Sequence, residues 1–446
     1  MASPRSAAAV ILVRPSPGPR SINGPGLSPM GEAIEVFWVR RAAQMIFQGG
    51  FYAFPGGQLD LEEDARVCAA RELFEEIGIR IDPTTLVEVG RWLTPAFSPR
   101  RFDTRFFLTK CPPGEEPRLV TDEHDFGEWI RPGDAVAKWM EGQILSAPPV
   151  LHALRCLAEG LEGVETRMMA VPWANGEPIP AIDMRPGIVL VPLRTPTLPP
   201  ATHTNCYVVG GDEVVVIDPA SPYEEEQALL DRILENRNIR EIWLTHLHRD
   251  HVSGANHLKH QRGVKIAAHP ITARDLEGVV TVDRTFVDGE RLELRGKPGW
   301  NLRVLHTPGH ARGHVCIFEE KNGSLITGDL MAGLGTIVID PPEGHMATYF
   351  DSLKRMQALP VTALFPAHGP VMADAKAKIQ QYLDHRMERE AKILAAWQRG
   401  YREPGAIVKE VYTDVQPAMH GLAERSVIAH LAEKNVSRAA VGSIVE

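Results

Sequence analysis

Thr245-His246-Leu247-His248-Arg249-Asp250-His251 packs three imidazoles and a carboxylate into seven residues, a density with no economical structural use. The apolar run Glu241-Ile242-Trp243-Leu244 before it reads as a buried strand. Val252-Ser253-Gly254-Ala255-Asn256 after it opens a helical pattern, so the polar side chains fall on a strand-to-helix turn. A compact turn aims several ligands at one point, which a regular helix or strand cannot do. Histidine and carboxylate suit zinc, iron or manganese. The stretch therefore reads as part of a dinuclear metal site.

Working outward, strands are expected at Gly187 to Val191, Cys206 to Val209 and Val214 to Ile217, the last running into Asp218-Pro219, with a helix from Tyr223 to Asn236. Further candidate ligands stand where strands should end. They are His310 after Thr307-Pro308-Gly309, Asp329 after Leu325-Ile326-Thr327-Gly328, and His368 after Leu364-Phe365-Pro366-Ala367. Each alone satisfies a turn; the ordered series is another matter. Asp218, the HxHxDH run, His310, Asp329 and His368 together resemble the metallo-beta-lactamase superfamily. That resemblance implies an alpha-beta/beta-alpha sandwich, with His246, His248 and His310 on a first metal and Asp250, His251 and His368 on a second. Asp329 would bridge the two, and Asp218 would accept a hydrogen bond that steadies the loop. Two zinc, iron or manganese ions about 3.5 to 4 Å apart would activate a water for attack on a carbonyl or a phosphorus, with Asp250 also able to handle protons. His203 and His314 are read as supporting groups, and His257, His260 and His269 as ordinary.

Towards the N-terminus, Ala7 to Val13 and Ile34 to Val39 read as strands separated by a Pro/Gly/Ser-rich loop, Pro15 to Met30. From Glu63 to Ile77 a helical pattern places Val67, Ala70, Phe74 and Ile77 on one side and Glu72, Glu75 and Glu76 on an opposite, exposed face. Three glutamates so placed are either a solvated acidic face or a magnesium site. The wider spacing distinguishes them. Gly57, five residues, Glu63, seven residues, then Arg71-Glu72-Leu73-Phe74-Glu75-Glu76-Ile77-Gly78-Ile79 resembles the full Nudix box. The resemblance implies an alpha/beta/alpha sandwich that hydrolyses a nucleoside diphosphate linked to another group. Glu72, Glu75 and Glu76 would hold magnesium or manganese, Gly57 would offer its carbonyl, and Arg71 would orient a glutamate. Glu63 would anchor the loop or accept a proton. Trp92-Leu93-Thr94-Pro95, Pro99 to Phe107 and Glu128-Trp129 look like the branch containing coenzyme A diphosphatases. Arg100, Arg101 and Arg105 would then bind phosphate or simply lie at the surface.

Helical patterns from Asp134 to Glu141 and Val150 to Glu159 close this region, and Ala174 to Pro180 reads as a linker. Beyond His368, helices are expected over Ala375 to Gln398, Ala406 to Tyr412 and Gly421 to Ala432, followed by a strand or tail from Asn435 to Glu446. This end resembles the winged-helix-like domain of the lactamase-beta-like subgroup, some members of which act on single-stranded RNA. Residues 376 to 446 carry eleven basic and nine acidic residues with no basic run, so a packing or lid-forming module fits better than a nucleic-acid reader.

A chain of 446 residues has room for several domains, and the expected division is 1–180, 181–372 and 373–446. The formal charge of -9 argues against general capture of nucleic acid or anionic membrane. Five scattered cysteines without a CxxC pair indicate no disulfide framework and fit a cytoplasmic protein. The expectation is an α/β fusion of two metal-dependent hydrolases acting on small molecules. One would cut a thioester or other ester and the other a diphosphate, bonds that coexist in acyl-coenzyme A. The alternatives are a nuclease acting on RNA, and one domain kept as a binding module.

Overall fold

The computed structural model describes residues 3–17, 34–45, 47–95, 97–98, 100–296 and 299–433, in two compact units, Met1–Leu190 and Val191–Glu446. Most of the expected loop before Ile34 and the expected tail after Ala432 lie outside the described residues.

In the first unit strand Arg5–Pro15 is the centre of the sheet. It pairs antiparallel with Ile34–Arg41 and parallel with Phe102–Lys110, which pairs in turn with Val87–Leu93. Successive side chains of a strand point to opposite faces, and both faces here are covered. Ala8, Val10 and Leu12 pack with helix Ala65–Ile77 on one side. Ala9, Ile11 and Val13 pack on the other with Trp139, Val150 and Leu154 from helices Pro132–Met140 and Pro148–Ala158. Pro148 and Pro149 therefore open a helix, as proline does at the first helical turn where its missing N–H is not needed.

The helix of the glutamates turns a different face inward from the one its large apolar residues suggest. Cys68, Ala69, Leu73 and Ile77 are fully buried, whereas Val67 is 47% and Phe74 38% exposed. Small side chains on the inner face let the helix approach the sheet closely, and Arg80 covers the outward Phe74 ring at 3.7 Å. The acidic row is thereby displaced to the edge of the buried face, where Glu76 is only 3% exposed. Asp64 caps the helix through the Arg66 amide, which starts it two residues later than expected.

The second unit layers helices outside two sheets. In one, Ile239–Trp243 lies between Val214–Ile217 and Lys265–Ala268, parallel to both. The other runs in the order Arg291–Leu294, Trp300–His306, Val315–Glu319, Ser324–Gly328, Ala363–Pro366, Met372–Ala373. Helix Ala375–Gln398 serves two cores: Ala375, Ile379 and Leu383 pack with Tyr349 and Leu364, while Ile393 and Ala396 pack with Ile407, Val408 and Val427. The latter come from helices Pro404–Val411 and His420–Glu433. Pro404 begins the next helix, two residues before the expected Ala406. No helix among the described residues is long and apolar enough to cross a membrane, and all five cysteines are free.

Candidate metal centres

Five chain segments leave the carboxyl ends of strands in the second unit and converge. Asp218 follows Val214–Ile217, the Thr245 to His251 turn follows Ile239–Trp243, and His310 follows Trp300–His306. Asp329 and His368 follow Ser324–Gly328 and Ala363–Pro366. A register shift between Ile326 and Gly328 re-aims the chain at Asp329. Gly328 is required there because its φ is 47° and a Cβ would stand 2.7 Å from His314 Nε2.

Two groups result. His246, His248, His310 and Asp329 bring one ligand atom each within 4.8 Å of one another, as do Asp250, His251 and His368. Asp329 faces both: Oδ2 is 3.4 Å from His310 Nε2, while Oδ1 is 3.3 Å from His368 Nε2 and 3.6 Å from His251 Nε2.

Hydrogen bonds on the far sides of the rings set which nitrogen carries the proton. His310 Nδ1 donates to Val338 O at 2.8 Å, His368 Nδ1 to His203 O at 3.1 Å, and His251 Nδ1 to Asp218 Oδ2 at 2.8 Å. Thr245 commits its hydroxyl proton to Asp218 Oδ2 at 2.6 Å and so accepts from His246 Nδ1 at 3.0 Å. All four Nε2 lone pairs point inward. His246 Nε2 and His310 Nε2 each lie 3.0 Å from the same His248 Nδ1, which can donate to only one of them. His251 Nε2 and Asp329 Oδ1 are buried without a hydrogen-bond partner. Buried acceptors facing each other need a cation between them, so the residues present fit bound metal.

Asp218 holds this arrangement with a backbone φ of 51°, a region aspartate tolerates better than most residues. Three hydrogen bonds, from Thr245 N, Thr245 Oγ1 and His251 Nδ1, offset the strain. Burial opposes charge on His251, but the carboxylates of Asp329, Asp250 and Asp218 outweigh it and raise the ring to about 10, the same pull that draws a metal ion to its Nε2 in place of a proton. Burial pushes His310 down to about 4 and His246 well below the usual range. His314 is fully buried, accepts from the Asp329 amide at 3.0 Å and contacts Thr307 Oγ1 at 2.8 Å. Both its nitrogens are used, so it positions Asp329. His203 contributes its backbone carbonyl. His257 pairs with Asp231, and His269 caps helix Pro270–Asp275 while stacking on His306.

In the first unit the glutamates are brought near one another but engaged elsewhere. Arg71 donates to both oxygens of Glu63, to Glu72 Oε1 and to Glu75 Oε2, each at 2.9 Å. Glu76 instead accepts from the Gly56 amide at 2.9 Å. Burial lifts Glu76 to about 8, whereas the Arg71 hydrogen bond draws Glu63 down to about 2. Gly57 passes so close to Glu72 that a Cβ would sit 2.4 Å from its carboxyl carbon. Arg101 donates to Thr94 O at 3.0 Å and Arg105 lies 3.7 Å from Glu88, which suits a surface role.

Residues 199–368 match the profile described as metallo-beta-lactamase superfamily. Atrochrysone carboxyl ACP thioesterase AacuM of Aspergillus aculeatus is 30% identical over 223 residues, covering 49% of this chain and 68% of that protein. The chain belongs to the metallo-beta-lactamase superfamily. This superfamily member also matches the NUDIX domain over residues 26–147 and the beta-lactamase associated winged helix domain over 404–433. Lactamase-like protein vrtG of Penicillium aethiopicum is 28% identical, covering 60% of this chain and 83% of that protein. A beta-lactamase domain protein from Burkholderia ambifaria, 19% identical with a TM-score of 0.51, shares the fold over 59% of this chain and 91% of its own. The chain is a metal-dependent hydrolase of two families, both of which bind divalent metals.

The metal-facing residues were all visible in the sequence. What sequence reasoning missed were their anchors: Thr245, Val338, and Glu343, whose Oε2 lies 3.5 Å from His248 Nε2. Thr245 alone carried a signal, standing at the head of the histidine run.

Proposed function

We propose that the second unit hydrolyses a thioester at a two-metal centre and that the first hydrolyses a nucleoside diphosphate-linked compound. His246, His248 and His310 would hold one ion, and Asp250, His251 and His368 the other. The observation that carries this is Asp329, whose two oxygens face the two groups separately. Divalent cations bound there supply a water acidified towards neutral pH and charge to polarise the attacked carbonyl. Asp218 keeps the His251 ring in register, and Asp250 would take up a proton. Zinc is the first choice for the imidazole-rich group, with iron or manganese also compatible. A thioester is favoured over other esters by the thioesterase names among relatives at 30% identity.

In the first unit Glu72, Glu75 and Glu76 would hold magnesium or manganese together with the Gly57 carbonyl, and Arg71 would set their orientation. Glu63, bound on both oxygens by Arg71 and by the Asp60 amide at 2.9 Å, serves as the loop anchor. Acyl-coenzyme A contains both bonds and is the substrate that would join the two activities. The reading keeps three domains, 1–180, 181–372 and 373–446.

Metal-loaded full-length protein should be offered acyl-coenzyme A, coenzyme A, other nucleoside diphosphate derivatives and short single-stranded RNA. Thioester cleavage lost in His246→Ala/His248→Ala, and diphosphate cleavage lost in Glu75→Ala, are the expected results. RNA cleavage that disappears in Asp329→Ala, with thioesters untouched, would replace this reading.

A further inference from the structure

A cavity of about 770 Å³ opens onto the metal centre, a size suited to a small organic ligand. It is lined by His248, Asp250, His310, Asp329 and His368, and the C-terminal helices contribute a wall. That wall is rich in arginine. Arg425 pairs with Asp340, and Arg389 pairs with Asp414 at 2.8 Å while donating to Val411 O. Each therefore has its charge met within the protein.

Arg386 does not. It lines the same cavity and is 4% exposed. Its guanidinium donates to Ile337 O and lies over the Tyr349 ring at 5.3 Å. It forms no ion pair with any carboxylate among the described residues, and its buried Nε has no hydrogen-bond partner. A guanidinium offers five N–H donors and stays charged at every physiological pH. The Ile337 carbonyl and the Tyr349 side chain take only part of that capacity and bring no counter-charge, and burying an uncompensated charge is costly. Tyr382, beside it on helix Ala375–Gln398, bonds Ala332 O and competes for none of it.

We propose that Arg386 receives an oxyanion, a carboxylate or a phosphate, at the end of the substrate remote from the metal centre. The cavity then selects acyl groups or carriers by charge at one end while the bond to be cut lies at the other. Two forked N–H groups match either anion bidentately, and the metal-facing lining fixes the distance at which that anion must stand. This rests on the metal cluster being the reaction centre, and it does not require that the bond cut be a thioester.

The test reads binding by calorimetry on metal-loaded full-length protein. The probes are linear thiols, which anchor at thiophilic metal, ended by a carboxylate, a phosphonate or a hydroxyl at each of several lengths. At one length an anionic thiol should bind about tenfold or more tighter than its hydroxyl counterpart, the worth of one charge-assisted hydrogen bond. The preferred anion distinguishes carboxylate from phosphate. In Arg386→Met that ratio should fall towards one, and in Arg386→Lys part of it should return. Because loss of this arginine could loosen the wall, metal content and binding of the hydroxyl thiol report whether the site persists. No advantage for either anion at any length, absence of all thiol binding included, overturns the proposal, as does an advantage unchanged in Arg386→Met. Failure to hydrolyse thioesters would overturn the proposed reaction without moving this ratio.

Discussion

The two candidate centres are built on opposite plans. In the second unit the groups arrive from five strand ends and are held in place by backbone carbonyls, Thr245 and Asp218. In the first, the three glutamates come from a single helix and are held by one arginine and one amide. Imidazoles held neutral by burial can be pre-assembled: His246 and His310 are both pushed below their usual range, and each stands 3.0 Å from His248. Carboxylates at similar spacing repel, so Arg71 takes Glu72 and Glu75 while Glu76 turns to Gly56. One centre is a finished cage. The other would have to exchange its internal partners for a cation before it could hold one.

That contrast can be broken experimentally. Asp329→Ala removes the group shared by both halves of the cage, so metal content by elemental analysis should fall well below two per chain. Activity of the second unit should drop on the order of a thousandfold, and retention of two metals would reduce Asp329 to a bystander. Brief dialysis against metal-free buffer should next separate the centres. Hydrolysis by the first unit should fall by about a hundredfold and return with magnesium, a weakly dehydrating ion usually shared with substrate phosphates, while the second unit keeps its activity until a strong chelator is added. Equal loss from both would erase the distinction. The smallest effect sharpens the comparison: Asp218→Asn preserves shape but weakens the bond to His251, and should cost about ten- to a hundredfold in metal affinity. Titration with a competing chelator would measure it, and an unchanged affinity would show that pre-organisation comes from elsewhere.

The helix of Glu72 to Glu76 shows why reading the sequence went further for chemistry than for packing. Spacing alone identified the glutamates, but it assigned Val67 and Phe74 to the core by size and Glu76 to solvent by charge. The sheet instead accepted Cys68 and Ala69, because small residues allow closer approach, and Glu76 was carried inward with them. Similarly Pro148 and Pro404 open their helices two residues before the expected starts at Val150 and Ala406, since where a first turn begins depends on where the preceding chain is held. The C-terminal region was legible as helices. That its first helix would be shared between two cores, and that its arginines would wall the cavity, was not.

What the sequence by itself determined is the inventory: the HxHxDH turn, His310, Asp329, His368 and the box from Gly57 to Ile79. Their chemistry and spacing are properties of the residues alone. Only the tertiary structure decided that the two oxygens of Asp329 face different groups, that Asp218 pays its strained φ with bonds to Thr245 and His251, and that Arg386 lies buried without a carboxylate. Those outcomes depend on which strand ends meet and which side chains lose their water, and both are set by contacts between residues far apart in the chain.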